Sequence, residues 1–385
     1  MVEKREQLLP IFFITLSIFL LSLGAAFCGW QYNQHTSSQY SKIQFENYAK
    51  ETKDLIQDRL DAYTDALYGA KGLFAASKAV ERDEWYAYTQ SVNIEGRYPG
   101  IAAIAYIERI GRGNKAAFIN SVRADTSLSP KGYSDFDIFP EGERPEYFIV
   151  KYLEPFERNK KTFGFDLSSD PVRYRAMELA RDTGLPALTS RIILVTDTGN
   201  HPGAAIYLPV YKNGAPIGTV EEKRTALVGF VNAVFRTHEL FSGLFSKRAV
   251  SPGIDFEIFD GDDLAPERLL YDEKPEKLEA AQKNGKDFHK ITTLTVGGQI
   301  WKLYFSGKSE FGLSPNQKLL SLLIILGGVV FSFFLAGIFY QLATSRYQAE
   351  QLAEKRTIDL RSEVAERRRA EQAIQKNLEQ VMSQQ

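Results

Sequence analysis

The chain has 385 residues, 44% hydrophobic and 25% charged, with a net charge of -1. That is room for two or three domains with packed cores, and the charge balance excludes a polybasic nucleic-acid binder. Its single cysteine, Cys28, excludes an internal disulfide and a cysteine-based zinc site.

Residues 1–7 carry Lys4 and Arg5 and precede an apolar stretch, residues 8–30, without Asp, Glu, Lys or Arg. Roughly 23 such residues suffice for a helix to cross a bilayer. The stretch reads as an uncleaved anchor. A cleaved signal peptide is the alternative, disfavoured because this apolar core is longer than the usual one. A second span is expected at residues 318–343, followed by Arg346, Lys355 and Arg356. Basic residues beyond both spans make both termini cytoplasmic and the middle of the chain extracytoplasmic. The absence of disulfides there fits a periplasmic segment held in a bacterial inner membrane.

Residues 31–80 predict a stalk helix. Ile56, Leu60, Tyr63, Leu67, Ala70 and Phe74 recur at heptad spacing. Such a stripe lies on its own domain, or continues the membrane helix as a stalk paired with a second copy, and both can hold along different lengths. Ile101–Ile107 predicts a buried strand, Lys115–Arg123 a helix and Glu146–Glu154 a strand. Pro171–Arg181 predicts a helix, capped by Asp170 and stopped by Gly184. Ala187–Val195 and Gly203–Tyr211 read as two strands. These elements make a membrane-distal part, residues 81–222. A second part, residues 223–317, holds a strand at Thr225–Phe235, a helix at Thr237–Phe245 and a strand at Asp255–Phe259. A hairpin there turns at Gly297-Gly298. Residues 344–385 contain no Gly or Pro and predict a charged, weakly coiled-coil signalling helix. The sequence ends inside that pattern, as expected for the front part of a longer receptor. Gly328, Ser332 and Ala336 form a ridge of small residues that suits close helix contact.

No HExxH, P-loop, GxSxG or CxxC pattern is present, and the four histidines are scattered. No catalytic residue, metal or cofactor is therefore expected, and the middle of the chain reads as a binding domain.

Several short motifs carry a family resemblance in order and spacing: Pro99–Ile110 (PGIAAIAYIERI), Glu146-Tyr147, Phe165–Asp170 with Arg173, Ala180–Gly184 (ARDTG), Ala187–Ser190 (ALTS) and Leu208–Lys212 (LPVYK). Together they resemble the CHASE domain, the extracytoplasmic sensor module of plant cytokinin receptors and many bacterial receptors. The resemblance implies an α+β fold: a long N-terminal stalk helix and two tandem PAS-like antiparallel sheets, flanked by two transmembrane helices and a C-terminal signalling helix. It implies a ligand in the distal sheet. Asp166 matches the aspartate that holds the adenine edge in cytokinin-binding members, Leu188 the leucine whose backbone contacts the base, and Thr198 a threonine that reaches the ligand tail. Tyr106 and Phe165 are candidate flat walls. Arg173 joins the site, stands as an ordinary exposed arginine on its predicted helix, or pairs with Asp166 or Asp170 and fixes the loop. Asp166 has a second reading, as a turn residue capping local backbone N–H groups. Leu167–Pro171 departs from the plant pattern, so a cytokinin-like adenine is one candidate ligand among several.

The expected whole is a homodimeric sensor for a small molecule, without catalytic activity of its own. It would be the input part of a receptor histidine kinase or of a cyclic-nucleotide signalling protein such as a diguanylate cyclase. The rival reading is a membrane-anchored scaffold acting through protein contacts.

Overall fold

A computed structural model describes residues 2–245, 254–272, 288–309 and 311–382. The chain divides into two units, Met1–Tyr40 with Leu313–Gln385, and Ser41–Gly312.

The first unit is helical. Helix α1 spans Val2–Ala76 and its first part belongs here. The C-terminal helix, Pro315–Met382, is equally unbroken. Both are long and apolar enough to cross a membrane. They touch where small residues allow it. Any side chain at Gly328 would collide with the Ala26 methyl, and Ser332 is fully buried with its hydroxyl on Gly328 O. Asn33 Nδ2 donates to Ser321 Oγ at 2.7 Å across the same pair. In the expected signalling helix, Glu363 and Arg367 pair at 3.6 Å along one face, and Leu360 and Val364 are exposed.

The second unit contains two sheets, and every strand pair in them is antiparallel. The first sheet uses β1 (Ile101–Gly111), β2 (Glu146–Glu154), β3 (Ala187–Leu188), β4 (Ile192–Ile193), β5 (Pro202–Tyr211) and β6 (Leu227–Arg236). Its order is β2-β1-β6-β5-β3, with β4 also on β5. The second uses β7 (Ile254–Asp260), β8 (Leu269–Asp272), β9 (Phe288–Val296) and β10 (Gln299–Gly307), in the order β8-β7-β10-β9.

The heptad stripe resolves in favour of contact within the chain. Ile56, Leu60, Tyr63, Leu67 and Ala70 are fully buried in a core shared with both sheets. Tyr63 anchors the helix further by donating to Pro99 O. Burying such side chains contributes roughly 1.5–3 kcal/mol each, so this stretch of helix is part of the domain's core.

Three sequence expectations need correction. The expected strand Ala187–Val195 is two short strands with a turn between them, because Ser190 and Arg191 reach across to the second sheet. The boundary at residue 222 is too early, since β6 sits in the middle of the first sheet, between β1 and β5. That pairing is non-local and leaves no trace in local periodicity. Among the helices the sequence does not announce, two of more than one turn begin with reciprocal caps. One, α2, spans Arg82–Val92 and starts with a capping box between Glu81 and Glu84; the other, Val220–Ala226, starts with one between Thr219 and Glu222. Helix Pro171–Thr183 is capped as expected: Asp170 accepts from the N–H groups of Val172 and Arg173, and Gly184 closes it at φ +80°.

Candidate functional site

The alternation of β1 decides which residues can share a site. Ile104 and Tyr106 face the core built with α1, whereas Ala103 and Ala105 point to the other face of the first sheet. Small side chains there leave space. A cavity of about 40 Å³ lies against Ala103, Ala105, Tyr207 and Asn232, closed by Phe165 and Arg173 and by the segment Leu194–Thr196. Its volume corresponds to about three water molecules, far below the roughly 300 Å³ that encloses a drug-sized ligand. A purine does not fit unless a wall moves.

The polar groups of the cavity are few. Tyr207 on β5 and Asn232 on β6 are cross-strand partners in register. Asn232 is 3% exposed, and its Oδ1 has no hydrogen-bond partner. The Tyr207 hydroxyl lies beside the Asn232 amide, yet no well-formed hydrogen bond satisfies it. A buried polar atom left in this state costs about 1–3 kcal/mol. Burial pushes the Tyr207 hydroxyl up to about 12, with Arg173 opposing and Asp170 adding to the shift. The group is therefore neutral at physiological pH. Arg173, 7% exposed, pairs with Asp170, donates from Nη2 to Ile193 O at 2.8 Å and lies over the Phe165 ring. It thus fixes the segment that closes the cavity.

Of the six residues singled out from sequence, Phe165 and Arg173 line this cavity. Asp166 does not. It is fully buried beside it, with Oδ1 accepting from Phe148 N (3.0 Å), Ser168 N (3.1 Å) and Ser168 Oγ (2.7 Å), and Oδ2 lying 3.0 Å from Arg144 Nη1. That is the turn-capping arrangement, since Asp166 opens the short 3₁₀ turn Leu167–Ser169. Leu188 is fully buried in the core on the α1 side, and its N–H donates to Gly297 O at 2.8 Å. Thr198 is exposed; Thr196, two residues earlier, lines the cavity instead. Tyr106 stacks on Phe74, ring centroids 4.2 Å apart, on the opposite face. A wider groove of about 810 Å³ opens beside it. There Lys151 is paired with Glu108 and Arg109 with Glu146, each at 2.7 Å. Lys78 and Lys212 also line this groove, which opens to solvent. Sequence reasoning missed Tyr207 and Asn232. The signal was present: one Asn stands inside the apolar run Leu227–Phe235 (LVGFVNAVF).

The wall of the cavity is also tied to the second sheet. Arg191 N donates to Asp260 Oδ2 at 2.8 Å, Ser190 Oγ to Gln299 Oε1 at 3.3 Å, and Leu188 N to the tip of the β9–β10 hairpin. No group of His, Cys, Asp and Glu suited to a metal occurs among the described residues.

The chain is 22% identical over 273 residues to hybrid signal transduction histidine kinase A of Dictyostelium discoideum, covering 65% of this chain and 12% of the kinase. It thus spans a small fraction of that relative's length. Among solved structures, an extracellular ligand binding receptor from Desulfohalobium retbaense aligns over 69% of this chain and 40% of its own, with 12% identity and a TM-score of 0.40. The periplasmic sensory domain of the Campylobacter jejuni chemoreceptor Tlp1 aligns over 73% of this chain and 99% of its own, with 8% identity and a TM-score of 0.38. The CHASE domain model matches residues 78–271, which hold the whole first sheet, its cavity, β7 and most of β8 in the second sheet. By that match, over about half of its length, the chain belongs to the CHASE domain family.

Proposed function

We propose that this chain is the input part of a transmembrane signalling receptor. Its head lies outside the cytoplasm and takes up a small molecule in the cavity beside Asn232. The two apolar helices anchor it in an inner membrane with both termini cytoplasmic, and two copies act as a dimer. The chain itself catalyses nothing; a histidine kinase or a cyclic-nucleotide enzyme would supply the output. The observation that carries this reading is that one segment, residues 188–196, both closes the cavity and is bonded to the second sheet. A ligand that prefers one position of that segment shifts the equilibrium between two arrangements by its difference in affinity for them.

The test uses the full chain in lipid nanodiscs, screened by hydrogen exchange against a library of small metabolites. The expected result is a compound that slows exchange in 188–196 and in the β9–β10 hairpin together, and that loses its effect in Ala105→Leu, which fills the cavity. Protection confined to a protein partner's footprint, with no small molecule active, favours the scaffold reading instead. Accessibility labelling at residue 150 checks the topology, and a cytoplasmic result overturns it.

A further inference from the structure

We infer that the cavity selects an uncharged, hydrogen-bonding molecule of a few heavy atoms, such as a short amide, a urea or an alcohol, and rejects organic anions of the same size. This rests on the reading of the cavity as the ligand site and names what that site takes.

The argument starts from charge. Arg173 is the only charged residue lining the cavity among the described residues. Its guanidinium is committed to Asp170 and to Ile193 O. An entering carboxylate would meet a cation already neutralised, while losing its own hydration to an apolar enclosure, a cost that an isolated charge does not recover.

The neutral groups point the same way. Asn159 Nδ2 is engaged by Ala102 O and Pro155 O, both at 2.9 Å, and Thr196 Oγ1 accepts from Arg236 Nη2 at 3.2 Å. What remains is the Thr162 hydroxyl on the wall and, buried without a hydrogen bond, Asn232 Oδ1 with the Tyr207 hydroxyl next to it. A primary amide offers an acceptor and a donor side by side, and a neutral hydroxyl offers both. Their complement is another amide, a urea or an alcohol. Both buried atoms are closed off from water as they stand, so a ligand reaches them only where the wall gives, and water admitted the same way competes with it. Size sets the affinity. A ligand of about four heavy atoms binds no tighter than tens of micromolar.

The closing experiment compares acetamide with acetate, which share a shape and differ in charge. Each is titrated by saturation-transfer NMR against the full chain in nanodiscs. The expected result is saturable acetamide binding, acetate at least tenfold weaker, a tenfold or larger loss of acetamide binding in Asn232→Leu, and loss of both in Ala105→Leu. Acetate binding as tightly as acetamide, and blocked by Ala105→Leu, overturns this inference while leaving the cavity as the ligand site. Binding of either probe that Ala105→Leu does not touch overturns the ligand site as well. Absence of saturable acetamide binding up to about 100 mM overturns the inference, with water as the occupant.

Discussion

Arg191 N and Asp260 Oδ2 lie 2.8 Å apart, and this bond ties the segment that closes the cavity to the last residue of β7 in the second sheet. Asp260 is 7% exposed, so the bond is shielded from water. Asp260→Ala leaves a partly buried N–H without an acceptor and should cost about 1–3 kcal/mol. Amide exchange at residues 188–193 should accelerate more than in the rest of the first sheet. Asp260→Asn keeps an acceptor oxygen and should lose far less. Equal exchange profiles for the two variants would show that the bond does not hold the segment.

Gly297 is the second tie. It sits at φ +54°, and a Cβ there would lie 2.5 Å from Leu188 N, the atom that bonds its carbonyl. Gly297→Ala should therefore destabilise the protein by about 2 kcal/mol or more, measured by chemical denaturation, through both backbone strain and loss of the contact. Gly214 also has a positive φ, +77°, but open space around its Cβ position, and Gly214→Ala should cost only the strain.

Asp166 should behave as a structural residue. Removing it strips acceptors from Phe148 N and Ser168 and leaves Arg144 without its partner. Asp166→Ala should lower stability by about 3 kcal/mol and yet leave the affinity of a cavity ligand within about twofold when measured well below the melting temperature. A tenfold loss of affinity without loss of stability would restore the contact role that the family resemblance implies.

Glu257 on β7 is opposite Asp272 on β8 and two residues from Asp255. Burial first, then these two carboxylates, raise its carboxyl to about 7. A raised folded-state value means that the folded protein holds the proton more tightly. The associated stability is fully present below about pH 4.3, falls as pH rises and is gone above about pH 7. Glu257→Gln should remove this slope and stabilise the protein at pH 8 by on the order of 1 kcal/mol, allowing for solvent screening of a half-exposed group. Urea midpoints from pH 4.5 to 8 measure both effects.

Local signals made much of the fold legible. Asp170 and Gly184 mark the ends of a helix by cap chemistry, the Gly297-Gly298 pair marks a hairpin, and the heptad stripe from Ile56 marks a buried helix face. Each is written within a few residues. The place of β6 is not, because Leu227–Arg236 pairs with strands more than 100 residues earlier on one side and about 25 earlier on the other. The short strands at 187–188 and 192–193 were overread for a related reason. Their partners lie partly in another sheet, and propensity does not encode that. The site followed the same division. Phe165 and Arg173 belong to a contiguous motif and were visible, whereas Tyr207 and Asn232 meet only once two distant strands are in register. Asp166 had two readings in the sequence, ligand contact and turn cap, and the structure shows it capping the turn at Leu167–Ser169.

The alanines of β1 have a further consequence. Ala103 and Ala105 alternate with Ile104 and Tyr106, which pack on the other side of the sheet. Changing the two alanines alters the room available to a guest without disturbing the face that clasps the long helix. On the proposed reading of the cavity, specificity and architecture fall to different codons of one strand, and single replacements at 103 or 105 change the stimulus while the scaffold stays intact.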